Sequence, residues 1–119
     1  MSFLNQIHII GNLTADPQFS TTKNGNSVCN MNVATNEFWN DKQGERQQET
    51  EYHIVTVWGK TAEFCSNYLK KGQSVYLEGR KQTKEYPTTT PLGEEITKHR
   101  CEIIASKVLK LTKDQQKDF

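Results

Sequence analysis

The sequence predicts an all-β fold, a barrel of five strands with one helix between the third and fourth. Three observations carry this expectation. Apolar residues alternate with polar ones through several separated runs, as strands with one buried face require. Only one segment, near the middle of the chain, changes to a helical period. Turn-forming pairs such as Asp16-Pro17 and Asn24-Gly25 punctuate the alternating runs.

The elements follow in order. "FLNQIHIIGNL" reads as a first strand ending near Gly11-Asn12. "ADPQFSTTKNGNS" reads as turn-rich, and Asn24-Gly25 suits a hairpin because both residues tolerate positive φ. "VCNMNVATNEFW" is a second strand, with Val28, Asn30, Asn32, Ala34 and Asn36 on one face and Cys29, Met31, Val33, Thr35 and Glu37 on the other. "NDKQGERQQETE" is polar and contains glycine, the composition of a mobile loop. "YHIVTVWG" is a third strand. His53, Val55 and Val57 point one way; Tyr52, Ile54, Thr56 and Trp58 point the other, so an aromatic stands near each end of the second side.

In "KTAEFCSNYLKKG", Ala62, Cys65 and Leu69 recur at helical spacing, and Phe64 and Tyr68 are i,i+4 neighbours. Lys70, Lys71 and Gly72 mark the end of a helix of about three turns. "QSVYLEGRKQTKEY" is a fourth strand bent at Gly79, where the missing Cβ permits a bulge. A loop with two prolines and a glycine follows, and "ITKHRCEIIASKVLKL" is a fifth strand or a strand pair. Three strands, one helix, then one or two long strands is the order of the five-stranded OB barrel. Other small α+β folds share the pattern.

Size and charge narrow the function. The chain has 119 residues, 34% hydrophobic and 24% charged, which allows one domain with a lean core, easier to sustain in an oligomer. Residues 1–112 read as that domain and residues 113–119 as a short polar tail. The net charge of +1 is unevenly spread: three basic against six acidic residues up to Gly59, ten against six from Lys60 to Lys110. A basic stripe in the second half or an ordinary solvated surface both fit. Cys29, Cys65 and Cys101 are odd in number and widely spaced, unlike a disulfide framework or a zinc site. No run approaches the ~18 apolar residues of a membrane span, and the N-terminus lacks a charged leader region. The expectation is a cytoplasmic protein with no cofactor.

Aromatic residues carry the strongest functional signal. Trp39 and Tyr86 end the second and fourth strands, and Tyr52 and Trp58 lie on one face of the third. Bases stack on exposed rings at about 1–3 kcal/mol each, whatever their sequence. Rings that cap a barrel or fill a subunit interface give the same pattern. Lysines stand beside the rings: Lys42 after Trp39, Lys60 after Trp58, Lys84 before Tyr86, with Lys71 at the helix end. Interleaved cations and stacking platforms suit a nucleic acid backbone. A rival set is Glu49, Glu51 and His53, which alternate and would share one strand face as a divalent-metal nuclease requires. His53 shares that face with Val55 and Val57, the setting of a core-edge or interface residue. No phosphate-binding loop, nucleophile elbow or HExxH motif is present.

Read together, "IHIIGNLTADPQ", "VCNMNVATNEFWNDKQGE", "TEYHIVTVWGKTAEFCSNYLKKGQSVYLEGR" and "TKEYP" resemble the bacterial single-stranded DNA-binding protein family. The resemblance spans about residues 5–100 and is specific because its elements recur in order. It implies an OB fold and a homotetramer that wraps single-stranded DNA during replication, recombination and repair. It places base stacking on Trp39, Tyr52, Trp58 and Tyr86, and phosphate contacts on Lys42, Lys60, Lys71 and Lys84. It also implies a nucleoid-associated place in the cytoplasm, non-catalytic action, and closure of the loops 40–49 and 87–93 over the strand. Tyr52 and Tyr86 stand where the family commonly has Trp, and Glu85 where a basic residue is frequent. The family's acidic tip ending in Pro-Phe is absent; the chain ends "KLTKDQQKDF". Resemblance therefore does not extend to tail-mediated recruitment of replication and repair partners. A primosome-type OB accessory protein, acting mainly through protein contacts, is the alternative.

Overall fold

The structure is a computed structural model and describes residues 2–112; the predicted tail 113–119 lies outside the described residues. Six strands and one helix follow in the order β1 (Ile7–Leu13), β2 (Gln18–Thr21), β3 (Ser27–Asn40), β4 (Arg46–Trp58), α1 (Gly59–Tyr68), β5 (Ser74–Thr89) and β6 (Glu95–Lys110). The sheet order is β1-β5-β6-β4-β3-β2, and β1 also pairs with β3. Five strands therefore close into a barrel, with β2 hung on β3 as a short flap. All pairings are antiparallel except β4 with β6.

Counting the flap places the helix between β4 and β5, where the sequence reading put it between the third and fourth strands. Gln18–Thr21 is four residues long with every residue exposed, so no apolar alternation marks it. Its hairpin to β3 turns at Asn24-Gly25, but only Gly25 takes positive φ, at 83°, while Asn24 does not. The last segment forms one strand and not a pair. β1 continues through Gly11 to Leu13. That glycine lies where the barrel closes: a Cβ there would land on the Ala34 carbonyl oxygen, and no larger residue fits without displacing β3. Gly79 plays a similar part, lying against the Ile104 carbonyl where the β5–β6 register shifts by a bulge.

The core follows the alternation. Cys29, Met31 and Val33 of β3 meet Val55 and Val57 of β4, Val75 and Leu77 of β5, and Ile103, Ala105 and Val108 of β6. Ala62, Cys65 and Leu69 close one end of the barrel from the helix side. Full burial of each Val, Leu or Ile side chain contributes roughly 1.5–3 kcal/mol, and a one-residue slip would turn the whole set outward.

The segments expected as mobile loops are instead long ribbons. β3 and β4 pair without interruption from Val28↔Trp58 to Asn40↔Arg46, and β5 and β6 pair out to Thr89↔Glu95. β4 and β6 pair only at Val55–Val57 and Ile103–Ala105, and in parallel. Both hairpins therefore leave the same end of the barrel as separate two-stranded arms. Pro87 is tolerated within β5 because the outer edge of that arm has no neighbouring strand to receive an N–H. Tyr86 accordingly lies inside a strand, not at its end.

Candidate nucleic-acid interface

The register fixes which rings share a surface. Tyr52 pairs with Ala34 and Trp58 with Val28, both on the barrel's outer face. Their exposures of 67% and 44% contrast with the fully buried Val55 and Val57 between them. Thr56, on the same outer face, is buried by its neighbours and donates its hydroxyl to Asn30 Oδ1 at 3.2 Å. Thr56 pairs with Ile104 across β6, and Ile104 with Arg80 of β5. Two-residue steps outward from that pair give Lys84↔Arg100 and Tyr86↔Lys98. One outer surface thus carries Trp58, Tyr52, Arg80, Lys84, Tyr86, Lys98 and Arg100.

Trp39 departs from this pattern. It pairs with Gln47, on the face that continues the core side through Thr35↔Glu51 and Glu37↔Glu49. Its ring is half exposed but turned away from Tyr52, on an acidic side of the arm. Lys42 lies in the tip turn, where Asp41 Oδ1 accepts from the backbone N–H groups of Gln43 and Glu45, both at 2.9 Å. Lys60 sits in the first turn of α1, after Gly59 turns the chain from strand to helix at φ 67°. A cation at the positive end of a helix is unfavourable by a few tenths of a kcal/mol, yet it concentrates positive potential beside Trp58. Lys71 lies past the far end of that helix, its backbone N–H bonded to Asp16 Oδ1 at 2.8 Å. From the tip turn to Trp58 is about 40 Å along β4. The eight predicted residues are therefore strung along an extended track, not gathered in a pocket.

Lys84 is not a free cation. Its Nζ lies 3.2 Å from Oε2 of Glu102, and Arg100 bonds the other carboxylate oxygen. Glu102 is only 2% exposed. The geometry of the Lys84 contact falls short of a hydrogen bond to Oε2, so the ammonium acts there as a charge alone. Burial alone would raise the carboxyl pKa; the charges of Lys84 and Arg100, with the Arg100 hydrogen bond, outweigh it and hold the group below the usual carboxylate value. Lys84 and Arg100 stand directly opposite one another on the ribbon, where like charges repel. The carboxylate beneath offsets one of them and leaves a net positive pair facing outward.

The nuclease set behaves differently. Glu49, Glu51 and His53 do share a face and line a cleft of ≈ 310 Å³ with Thr35 and Glu37. His53 Nε2 lies 3.0 Å from the Thr35 hydroxyl. Among the described residues no group of three or more His, Cys, Asp or Glu is arranged to hold a metal ion.

Sequence reasoning missed Arg100 and Glu102, although "RCE" places both on one strand face. It also missed Phe38, near the end of the second predicted strand, and Arg46, in what read as a loop. Phe38 is 51% exposed, and the Arg46 guanidinium lies 4.4 Å from its ring centroid.

A closed five-strand barrel with one helix, bearing exposed rings and cations along one outer surface, defines an OB-type binding protein. The chain belongs to the Single-strand binding protein family, whose profile matches residues 4–111. It is 49% identical over 83 residues to a single-stranded DNA-binding protein of Neisseria meningitidis, covering 70% of this chain and 48% of that protein. It is 47% identical over 83 residues to single-stranded DNA-binding protein 1 of Chlorobaculum tepidum, covering 70% and 51%. The chain thus spans about half the length of the curated relatives it matches. Among solved structures, a Plasmodium falciparum SSB complex with ssDNA superposes with TM-score 0.81 at 29% identity, over 94% of this chain and 98% of that one. The wild-type single-stranded DNA binding protein from Thermus aquaticus gives 0.74 at 28% identity, over 92% and 51%.

Proposed function

We propose that the protein binds single-stranded DNA without sequence specificity and protects it during replication, recombination or repair. The observation that carries this reading is the outer surface on which Tyr52, Trp58 and Tyr86 stand exposed among Arg80, Lys84, Lys98 and Arg100. Rings supply sequence-tolerant stacking and cations track the phosphates. Trp39, Lys42, Lys60 and Lys71 extend the track to the arm tip and to the helix end. The action is stoichiometric binding, not catalysis, in the cytoplasm at the nucleoid. Among the described residues no helix is long and apolar enough to cross a membrane.

Assembly as a homotetramer belongs to the same reading. On its outer edge β1 pairs with β3 only at Asn12 and Leu13, leaving the Ile7–Ile10 edge open. Beside it, Ile10 and Tyr76 stand partly exposed and Leu109 is 44% exposed. An open edge next to an apolar patch supports pairing with another copy.

Titration of intrinsic tryptophan fluorescence tests the central claim. Single-stranded oligonucleotide should quench it strongly, duplex of equal length should not, and added salt should weaken the effect. Absence of both quenching and binding overturns the proposal. Light scattering coupled to size exclusion reads the subunit number.

A further inference from the structure

We propose that Phe38 and Arg46 form an additional stacking site for one unpaired nucleobase on the outer face of the β3–β4 arm. The inference rests on the single-strand reading and extends it to residues that the resemblance does not assign.

Register supplies the first argument. Phe38 pairs with Gln48, and the alternating pairs Ala34↔Tyr52, Asn36↔Thr50 and Phe38↔Gln48 lie on one side of the ribbon. Phe38, not its neighbour Trp39, therefore continues the line of Tyr52, about 13 Å further out. Packing supplies the second. Among the described residues of the arm beyond Ala34 and Tyr52, none is buried, so no core lies beneath the ring. A phenylalanine placed there leaves apolar surface in water, with the Arg46 guanidinium over its ring.

Electrostatics supplies the third. No carboxylate lies within ion-pair distance of Arg46 among the described residues, so the guanidinium keeps its charge for a phosphate. Asn40, directly opposite Arg46, adds an amide to the same cleft of ≈ 280 Å³, which Trp39 also lines. A flat ring with a flat cation stacked on it offers one base a platform and its phosphate a counter-charge, the two contacts that bind single strands.

The test combines substitution with photocrosslinking on the full chain. Phe38→Leu keeps the apolar bulk and removes the π face; it should weaken binding to an oligothymidylate about five-fold or more. Phe38→Trp should restore affinity. Arg46→Gln should weaken binding and lower the salt slope by about one. An oligonucleotide carrying 5-iodouracil, irradiated in complex with the wild type, should yield an adduct at Phe38. Thermal unfolding of each variant confirms that the fold persists. Binding by Phe38→Leu within two-fold of wild type, or adducts at Tyr52 with none at Phe38, overturns this site while the wider reading stands. Failure of the wild type to bind any single strand removes both.

Discussion

Lys84 and Glu102 lie across the β5–β6 ribbon with Nζ 3.2 Å from a carboxylate oxygen that solvent does not reach. The surface lysine proposed to contact phosphates thus also neutralises a buried acid. Two roles on one side chain separate it from Lys42, which is exposed at an arm tip. Lys84→Met should lower unfolding stability by about 1–2 kcal/mol, since it leaves the carboxylate with Arg100 alone. It should also weaken strand binding. Lys42→Met should reduce binding and its salt slope with stability unchanged. Denaturant melts beside salt-dependent titrations read both; equal stability of the two variants would show that Glu102 does not need Lys84.

The same pair sets an acid limit. Glu102 has its folded pKa below the unfolded value of 4.5. The native state therefore holds the proton less readily than the unfolded chain. Stability from this group is full above the carboxylate range and is lost as pH falls through the folded pKa. Glu102→Gln should flatten the acid limb of a plot of stability against pH. A limb unchanged in that variant would assign acid sensitivity to other carboxylates.

Exposed rings and buried aliphatics should separate cleanly. Trp58→Ala, Tyr52→Ala and Tyr86→Ala should each weaken binding by about 1–3 kcal/mol with little change in Tm. Trp39→Ala tests whether a strand also reaches the acidic side of the arm. Leu77→Ala, in the core, should instead cost about 2–5 kcal/mol of stability. A ring variant that unfolds while each folded molecule binds normally would move that ring from the site to the scaffold.

The cysteines should divide by accessibility. Cys29 and Cys65 are buried, and burial, with the charge on Cys29, pushes the Cys65 thiol up to about 12. Cys101 is exposed on β6. A thiol reagent at neutral pH should label Cys101 in the native protein and the other two only after unfolding. Rapid native labelling of all three would contradict the packing of the barrel.

Val55 and Val57 beside Tyr52 and Trp58 explain how much the sequence disclosed. That alternation, the helix spacing of Ala62, Cys65 and Leu69, and the bulge at Gly79 each depend on local chemistry, so each was legible. The arms were not. A two-stranded ribbon without a core beneath it needs no apolar repeat, and 40–49 therefore resembled a loop. The turning of Trp39 away from Tyr52 depends on the pairing of Cys29 with Val57, a contact between distant segments. Glu102 went unmarked, because its burial depends on how β6 sits in the barrel.

The position of β6 also bears on synthesis. As the last of the six described strands to be synthesised, it is the one that must fill the gap between β4 and β5. Until residues 103–110 emerge, β4 and β5 each present an unsatisfied edge and the barrel cannot seal. At roughly 5–20 residues per second, the nascent chain spends seconds as open, pairing-competent sheets. Closure of the barrel therefore waits for β6 and becomes one late event in the folding of residues 7–110.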